Sequence, residues 1–318
     1  MFKRLVIIGA GAIGGSIGGL VQHAGFPVVV VARGEHGQRI RSEGLRLQTP
    51  KREFSVEVPC FERIEDVSWR DGDVAMVATK LNDAQEVMDQ ILEHVGSQVP
   101  VASASNGVHG ETWACERFST VLSIMLWLPT THLQPGSVVL YSEGCRGVVD
   151  VGPAVGDADL ELTSAFCEVM RTAGFDSVAR SDIARWKRAK WLTNLGNAAQ
   201  AMITDDWRSV AKAARAEGQR VLESAKLDFV PVKELFKRCE QVQLDEVGGQ
   251  PRQGGSTWQS LQRGKPLETV WIEGAMADLA DAHGVTAPIN RFLSDISLDP
   301  RPLAANEVMA AAKAASQN

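Results

Sequence analysis

The apolar positions of this 318-residue chain fall into two regimes. Up to about residue 180 they gather in short runs, at 5–8, 27–32, 73–79 and 99–103, and the second is apolar throughout, as expected of a parallel strand covered on both faces. Helical stretches separate them at 12–25, 38–44 and 83–94. The segment 45–59 alternates enough for two short strands joined by Pro50-Lys51-Arg52. Three further strand-like runs, 121–127, 137–141 and 147–151, are divided by Gly/Pro turns and are expected to extend the same sheet. An amphipathic helix over 160–173 and a short segment at 177–179 follow. Beyond Arg180 helical periodicity dominates and β-branched runs almost vanish. The pattern therefore predicts an α/β fold, with a doubly wound domain over residues 1–180 and an all-helical domain over 181–318. The Ala-rich tail after Pro302 reads as a last helix with a frayed end.

The first strand runs without a spacer into Gly9-x-Gly11-x-x-Gly14 and a small-residue helix. In that order the three glycines do different things. Gly9 permits a tight turn, Gly11 lets backbone approach a pyrophosphate, and Gly14 lets the helix pack closely on the strand. The helix N-terminus, at Ala12, Ile13 and Gly14, then offers N–H groups to phosphates. Strand, loop, helix and second strand complete a βαβ unit, the context that makes this motif a dinucleotide site. Lys3-Arg4 before an apolar run imitates a secretory signal, but the glycines interrupt the run and no cleavage site follows. The second strand ends in Arg33-Gly34-Glu35-His36. An arginine here pairs with the 2′-phosphate of NADP, whereas an acidic residue accepts from the 2′-hydroxyl of NAD. Arg33 thus favours NADP, Glu35 keeps NAD open, and an arginine capping a strand in solvent is the plainer alternative.

Composition narrows the field. With 44% hydrophobic and 23% charged residues the chain is of ordinary globular type, and no apolar run approaches the roughly 20 residues of a membrane span. A soluble, cytoplasmic protein without a membrane partner is expected. The net charge of −6 and the lack of a basic stripe argue against nucleic-acid binding. The five cysteines are odd in number and widely spaced, with no metal-ligand spacing, and read as reduced and mostly buried.

Several polar residues fall where chemistry is done. The third long strand delivers Thr79-Lys80 to the carboxyl edge of the sheet, where open α/β sheets bind ligands. The fourth delivers Asn106-Gly107 and His109 to the same edge, although Asn-Gly is also an ordinary turn. On the first helix of the second domain Lys190 and Asn194 are four apart and share one face, which periodicity alone would leave in solvent. Ser256 and Glu268 flank a Gly264 turn and read equally well as caps, with a long helix from 267 to His283.

Taken in order, Gly9-x-Gly11-x-x-Gly14 with Arg33, Lys80, Asn106-Gly107, Lys190-x-x-x-Asn194, and Ser256 with Glu268 twelve residues later resemble the ketopantoate reductase (2-dehydropantoate 2-reductase) family over almost the whole chain. The resemblance implies a Rossmann-type domain followed by a helical substrate and dimerisation domain, substrate in the cleft, and NADPH as hydride donor. It also marks departures. The family's usual Met after the serine and its Asp and Asn after the glutamate are replaced, with Trp258 nearby and Val270 and Glu273 at the latter two, and its Asn before the serine is Gln253.

Hydride delivery to a ketone leaves an alkoxide, so a site of this kind needs a proton donor and stabilisation of negative charge. Lys190 is the candidate acid, because desolvation lowers the pKa of an ammonium, and His109 is its rival. Asn194 and Asn106 can orient a carbonyl or the nicotinamide, Ser256 can hold a substrate carboxylate, Glu268 can position the lysine or a substrate hydroxyl, and Lys80 can contact cofactor or carboxylate. The implied reaction is reduction of 2-dehydropantoate to pantoate, in pantothenate biosynthesis. Reduction of another 2-oxo acid, a non-catalytic NADP-binding sensor and, from the glycine loop alone, a flavoprotein remain alternatives, and homodimerisation is open.

Overall fold

A computed structural model describes residues 2–155 and 160–315. The chain forms two compact units, Met1–Ala184 with Phe236–Arg252, and Arg185–Leu235 with Gln253–Asn318.

The first unit begins β1 (Arg4–Ile8), α1 (Ala12–His23), β2 (Val28–Val31), α2 (Gly34–Glu43), β3 (Leu45–Gln48), β4 (Glu53–Val56), β5 (Cys60–Phe61), β6 (Asp73–Val77) and α3 (Leu81–Val95). It continues through β7 (Val101–Ser103), α4 (His109–Cys115), β8 (Val121–Trp127), β9 (Thr130–Thr131), β10 (Ser137–Leu140), β11 (Val148–Pro153) and α5 (Leu160–Thr172). The main sheet has the order β5-β2-β1-β6-β7-β8-β11. Its pairs are parallel except the last, where β11 runs antiparallel to β8. Apart from that added edge strand, this is the strand order of the dinucleotide-binding Rossmann fold, with β1 at the point where the order reverses. Leu5, Ile7, Val28, Val30 and Met76 are all but inaccessible at its centre.

One expectation fails here. β10 does not extend the main sheet; it pairs parallel with β3 and antiparallel with β9 in a second sheet ordered β4-β3-β10-β9. The reason lies in α1, which is packed on both faces. A Cβ at Gly14 or Gly18 would come within 2.9 Å of Ile7 on β1, and one at Gly15 or Gly19 would come within 2.8 Å of Val138 on β10 or 2.6 Å of Leu47 on β3. The second sheet covers the face of the helix that β1 leaves open, and Ser16 Oγ meets Thr130 Oγ1 at 2.6 Å across that interface.

A single boundary after Arg180 does not describe the division either, since 236–252 belongs with the first unit. Arg238 explains the return: its guanidinium binds Asp150 at 2.6 Å and Asp176 at 2.5 Å, and Asp150, wholly buried on β11, is also held by Arg180 at 2.6 Å. Arg238 holds the Asp176 carboxyl below its ordinary range. Of the five cysteines, Cys167 and Cys239 are buried and the other three are half-buried.

The second unit is helical: α6 (Ile183–Asn194), α7 (Asn197–Met202), α8 (Trp207–Ser224), α9 (Val232–Arg238, whose end returns to the first unit), α10 (Ser256–Gln262), α11 (Ala275–Ala282), α12 (Pro288–Ile296) and α13 (Ala305–Ala315). Among its described residues no strand occurs, only an isolated bridge between Ile203 and Leu303. The expected frayed end of the last helix falls at 316–318, outside the described residues. Buried Glu217 of α8 accepts from the N–H groups of Ile289 and Asn290 at 3.0 and 3.1 Å and so caps α12, whose first residue is Pro288; burial raises its pKa. No helix among the described residues is long and apolar enough to cross a membrane.

Candidate active site

The cofactor end is built where β1 stops. Gly9 has φ +98°, a left-handed conformation, and a Cβ there would lie 2.9 Å from both Cγ2 and N of Thr79. Gly14 is packed against the carbonyl of Gly9, Ile7 and Ala78. Gly11 differs from both: it is the N-cap of α1, and a Cβ there would meet nothing within 4 Å. The loop is thus tight where it touches the fold and open where a pyrophosphate would approach. No acidic side chain lies in the first turn of α1, so the positive end of the helix at Ala12, Ile13 and Gly14 keeps its attraction for phosphate. Thr79 Oγ1, beside Gly9, is buried without a hydrogen-bond partner among the described residues. These observations fit a dinucleotide.

Arg33, at the end of β2, is the N-cap residue of α2, and its exposed guanidinium makes no ion pair among the described residues. Glu35 is instead engaged with Arg39 at 3.2 Å. The cation is thereby presented and the rival carboxylate is occupied, an arrangement suited to a 2′-phosphate. Lys80, half-buried, follows β6 closely as the N-cap residue of α3. Asn106 sits half-buried in the turn after β7, followed by Gly107 at φ +73°. His109 opens α4 and packs on Trp113 with ring centroids 5.6 Å apart.

The remaining candidates lie in the helical unit. Lys190 and Asn194 do share a face of α6, with Nζ donating to Oδ1 at 3.1 Å, but that face is not in solvent: Asn194 is 2% exposed and Lys190 half-buried. Next to Lys190, Trp191 Nε1 donates to the carbonyl of Ile272 at 3.0 Å. This bond ties α6 to the segment that begins at Glu268, itself 4% exposed. The expected long helix from 267 to His283 is broken there, because Val270–Gly274 forms a π-helical turn before α11 begins. Such turns often mark functional sites. Ser256 is half-buried at the first residue of α10; Gly255, not the serine, is the N-cap, and its N–H donates to Gln200 Oε1 at 2.9 Å. The Ser256 hydroxyl has no hydrogen-bond partner among the described residues. Of the departing positions, Gln253 and Val270 are exposed, and Trp258 packs its ring on Gly254.

In the sequence Glu273 stands out only as a departure. It is wholly buried; the N–H of Ala198 donates to its Oε1 at 3.3 Å, and Oε2 has no partner among the described residues. Burial pushes its carboxyl up to about 8, the nearby charge of Glu268 adding to the effect. A glutamate inside the otherwise uncharged run Ile272, Gly274, Ala275, Met276 is the signal that could have announced this.

The first unit thus carries a strand-loop-helix turn that fits a dinucleotide, and the second carries a half-buried lysine bonded to a buried asparagine on a helix tied to the segment that follows Glu268, features expected of a nicotinamide-dependent oxidoreductase. The family models concur: that described as ketopantoate reductase PanE/ApbA matches residues 5–155, and that described as its C-terminal part matches residues 186–298. The 2-dehydropantoate 2-reductase of Archaeoglobus fulgidus is 29% identical over 308 residues, covering 92% of this chain and 96% of that protein. Among solved structures, a PanE/ApbA family ketopantoate reductase from Ralstonia eutropha superposes with TM-score 0.76 at 22% identity, over 92% of this chain and 97% of that one. D-mandelate dehydrogenase with NADH and anilino(oxo)acetate gives 0.76 at 19% identity, over 93% and 97%. The chain belongs to the ketopantoate reductase family, and it is an NADP-dependent oxidoreductase.

Two outcomes follow from this geometry. Gly11→Val meets only open space in the protein, so it should fold with its melting temperature little changed and lose NADPH binding, whereas Gly14→Val collides with the Gly9 carbonyl and should fail to fold stably. Thermal melts beside calorimetric titration check both, and NADPH binding at normal affinity by Gly11→Val would remove Gly11 from the site. For Glu273 the folded-state pKa lies above the ordinary 4.5, so the folded chain holds a proton that the unfolded chain releases. Stability should therefore fall as pH rises from about 4.5 to about 8, by up to roughly 1.4 kcal/mol per pH unit, and level off above. Glu273→Gln, which mimics the neutral acid, should lose this dependence in urea titrations; parallel pH profiles for the two proteins would mean that Glu273 is ionised in the fold.

Proposed function

We propose that the protein reduces a 2-oxo acid to a 2-hydroxy acid with NADPH, and that its substrate is 2-dehydropantoate, converted to pantoate for pantothenate biosynthesis in the cytoplasm. The observation that carries the reading is half-buried Lys190 bonded at 3.1 Å to buried Asn194, on a helix bonded to the segment that carries Glu268. The names of the relatives supply the substrate.

When bound, NADPH supplies the hydride. The chain's part is to bind, orient and protonate. Gly9, Gly11, Ala12, Ile13 and Gly14 hold the pyrophosphate, and Arg33 the 2′-phosphate. Lys80 and Asn106, at the carboxyl ends of their strands, contact cofactor or substrate. Lys190 donates a proton from Nζ to the oxygen that becomes the hydroxyl, and its positive charge stabilises the alkoxide as it forms. Asn194 accepts from the same Nζ and so fixes the direction in which the ammonium points. The unengaged hydroxyl of Ser256 is suited to a substrate carboxylate. Glu268 positions Lys190 or a substrate hydroxyl. The presence of Lys190, Asn194, Ser256 and Glu268 together also weighs against a non-catalytic sensor, which would need only the phosphate-binding end. The replacements at Val270 and Glu273 are the reason to keep another 2-oxo acid as the second reading.

Lys190→Ala should lower turnover by about 10²- to 10⁴-fold, the contribution of a positioned acid, with little change in stability. The wild-type reduction rate should fall as pH rises through the pKa of the acid; Lys190→Ala should lack that limb, and His109→Gln should keep it. Turnover by Lys190→Ala near the wild-type rate, with the alkaline limb intact, would transfer the role to His109 or to water.

A further inference from the structure

His36 has no part in the chemistry just described, yet it is bonded to the phosphate loop. Its Nε2 lies 2.7 Å from the carbonyl oxygen of Ala10, between Gly9 and Gly11. Its Nδ1 accepts from the backbone N–H of Gly136 at 2.8 Å. An amide N–H can only donate, so Nδ1 must be the acceptor, the ring is the neutral tautomer with its proton on Nε2, and Nε2–H donates to Ala10. Gly136 belongs to the turn before β10, at φ +77°, and its own carbonyl accepts from Arg46 N on β3 at 2.9 Å. The imidazole therefore spans from the loop of the main sheet to the second sheet. His132, whose Nδ1 lies 3.0 Å from the Ser137 carbonyl, packs against it with ring centroids 4.2 Å apart and limits its rotation.

We propose that His36 is a positioning residue for cofactor binding, which sets the orientation of the Ala10–Gly11 peptide. In a planar trans peptide the C=O and the following N–H point in opposite directions. A carbonyl drawn toward His36 therefore turns the Gly11 N–H away from it, at the residue where the loop is open to a pyrophosphate. Gly9 is held independently, its N–H donating to the Val31 carbonyl at 3.0 Å, and Gly11 O accepts from Gly15 N at 2.7 Å. In this loop it is the peptide after Ala10 whose carbonyl is held by the imidazole. Without His36 that peptide is freer to rotate, and ordering it becomes part of the cost of binding the dinucleotide.

The experiment compares two probes on wild type and His36→Ala: NADPH, and 2′-AMP, which carries the adenosine 2′-phosphate but no pyrophosphate. Loss of one neutral hydrogen bond's worth of orientation should weaken NADPH about 3- to 10-fold by calorimetry, with 2′-AMP affinity unchanged. The KM for NADPH should rise by the same factor while kcat at saturating NADPH stays at the wild-type value. Unchanged NADPH affinity would overturn the inference. So would equal weakening of both probes, which would mean that His36 merely supports the fold around Arg33, or a lowered kcat at saturating NADPH. Should the alanine variant fail to fold, His36→Phe keeps a ring against His132 while removing both hydrogen bonds, and the same outcomes apply to it.

Discussion

The close contact between α1 and β1 governs the first unit. Gly14 can touch the Gly9 carbonyl and Ile7 because neither glycine has a side chain in the way, and this contact fixes where the N-terminus of the helix points. The opposite face of α1 obeys the same constraint: Gly15 and Gly19 admit Val138 and Leu47 of the second sheet. A helix this poor in side chains has little intrinsic stability, since glycine costs about 1 kcal/mol per interior position relative to alanine. It is stabilised by the apolar surfaces it joins, Leu5 and Ile7 on one side and Leu47 and Val138 on the other, all essentially inaccessible. The loop proposed to hold the dinucleotide is the half-buried end of that sandwich.

The helical unit reaches rigidity by another route. Its polar groups are buried and answered by backbone: Glu217 by the start of α12, Trp191 by the Ile272 carbonyl, Glu273 by the Ala198 N–H. Buried polar groups are costly unless they are satisfied, so each of these bonds fixes one element against another with little tolerance. Glu273 is satisfied at one oxygen only, and burial outweighs the hydrogen bonds it accepts, so the protonated state is favoured. The π-helical turn Val270–Gly274 follows directly on Glu268 and Thr269 and includes Glu273, so the break in helical regularity coincides with the acidic residues.

Much of this is legible in the amino-acid sequence because it rests on local rules. The continuous apolar runs mark the parallel strands, and the glycine spacing after β1 marks the loop with Gly9 in a left-handed conformation. The four-residue spacing of Lys190 and Asn194 is enough to put them in contact. What cannot be read depends on contacts between distant segments. An apolar strand at 137–140 looks the same whether it joins the main sheet or a second one, and the partner β3 that decides it lies some 90 residues earlier. The return of 236–252 to the first unit includes an arginine meeting two aspartates, and nothing in the pattern around Arg238 distinguishes it from a solvated charge. Burial of Asn194 also escapes the sequence, because helical spacing places residues on a face without saying what packs against it. His36 is visible only as the residue after Glu35, because its partners, Ala10 and Gly136, are separated from it by 26 and 100 positions.

Whether this chain turns over a 2-oxo acid at the expense of NADPH is tested most directly by following loss of reduced-nicotinamide absorbance. The purified protein is given 2-dehydropantoate beside a panel of other 2-oxo acids, with NADPH and then NADH. Oxidation of NADPH in preference to NADH is expected, fastest with 2-dehydropantoate, with one pantoate formed for each NADPH consumed. Tight binding of NADPH with no oxidation by any 2-oxo acid would contradict a reductase built around Lys190.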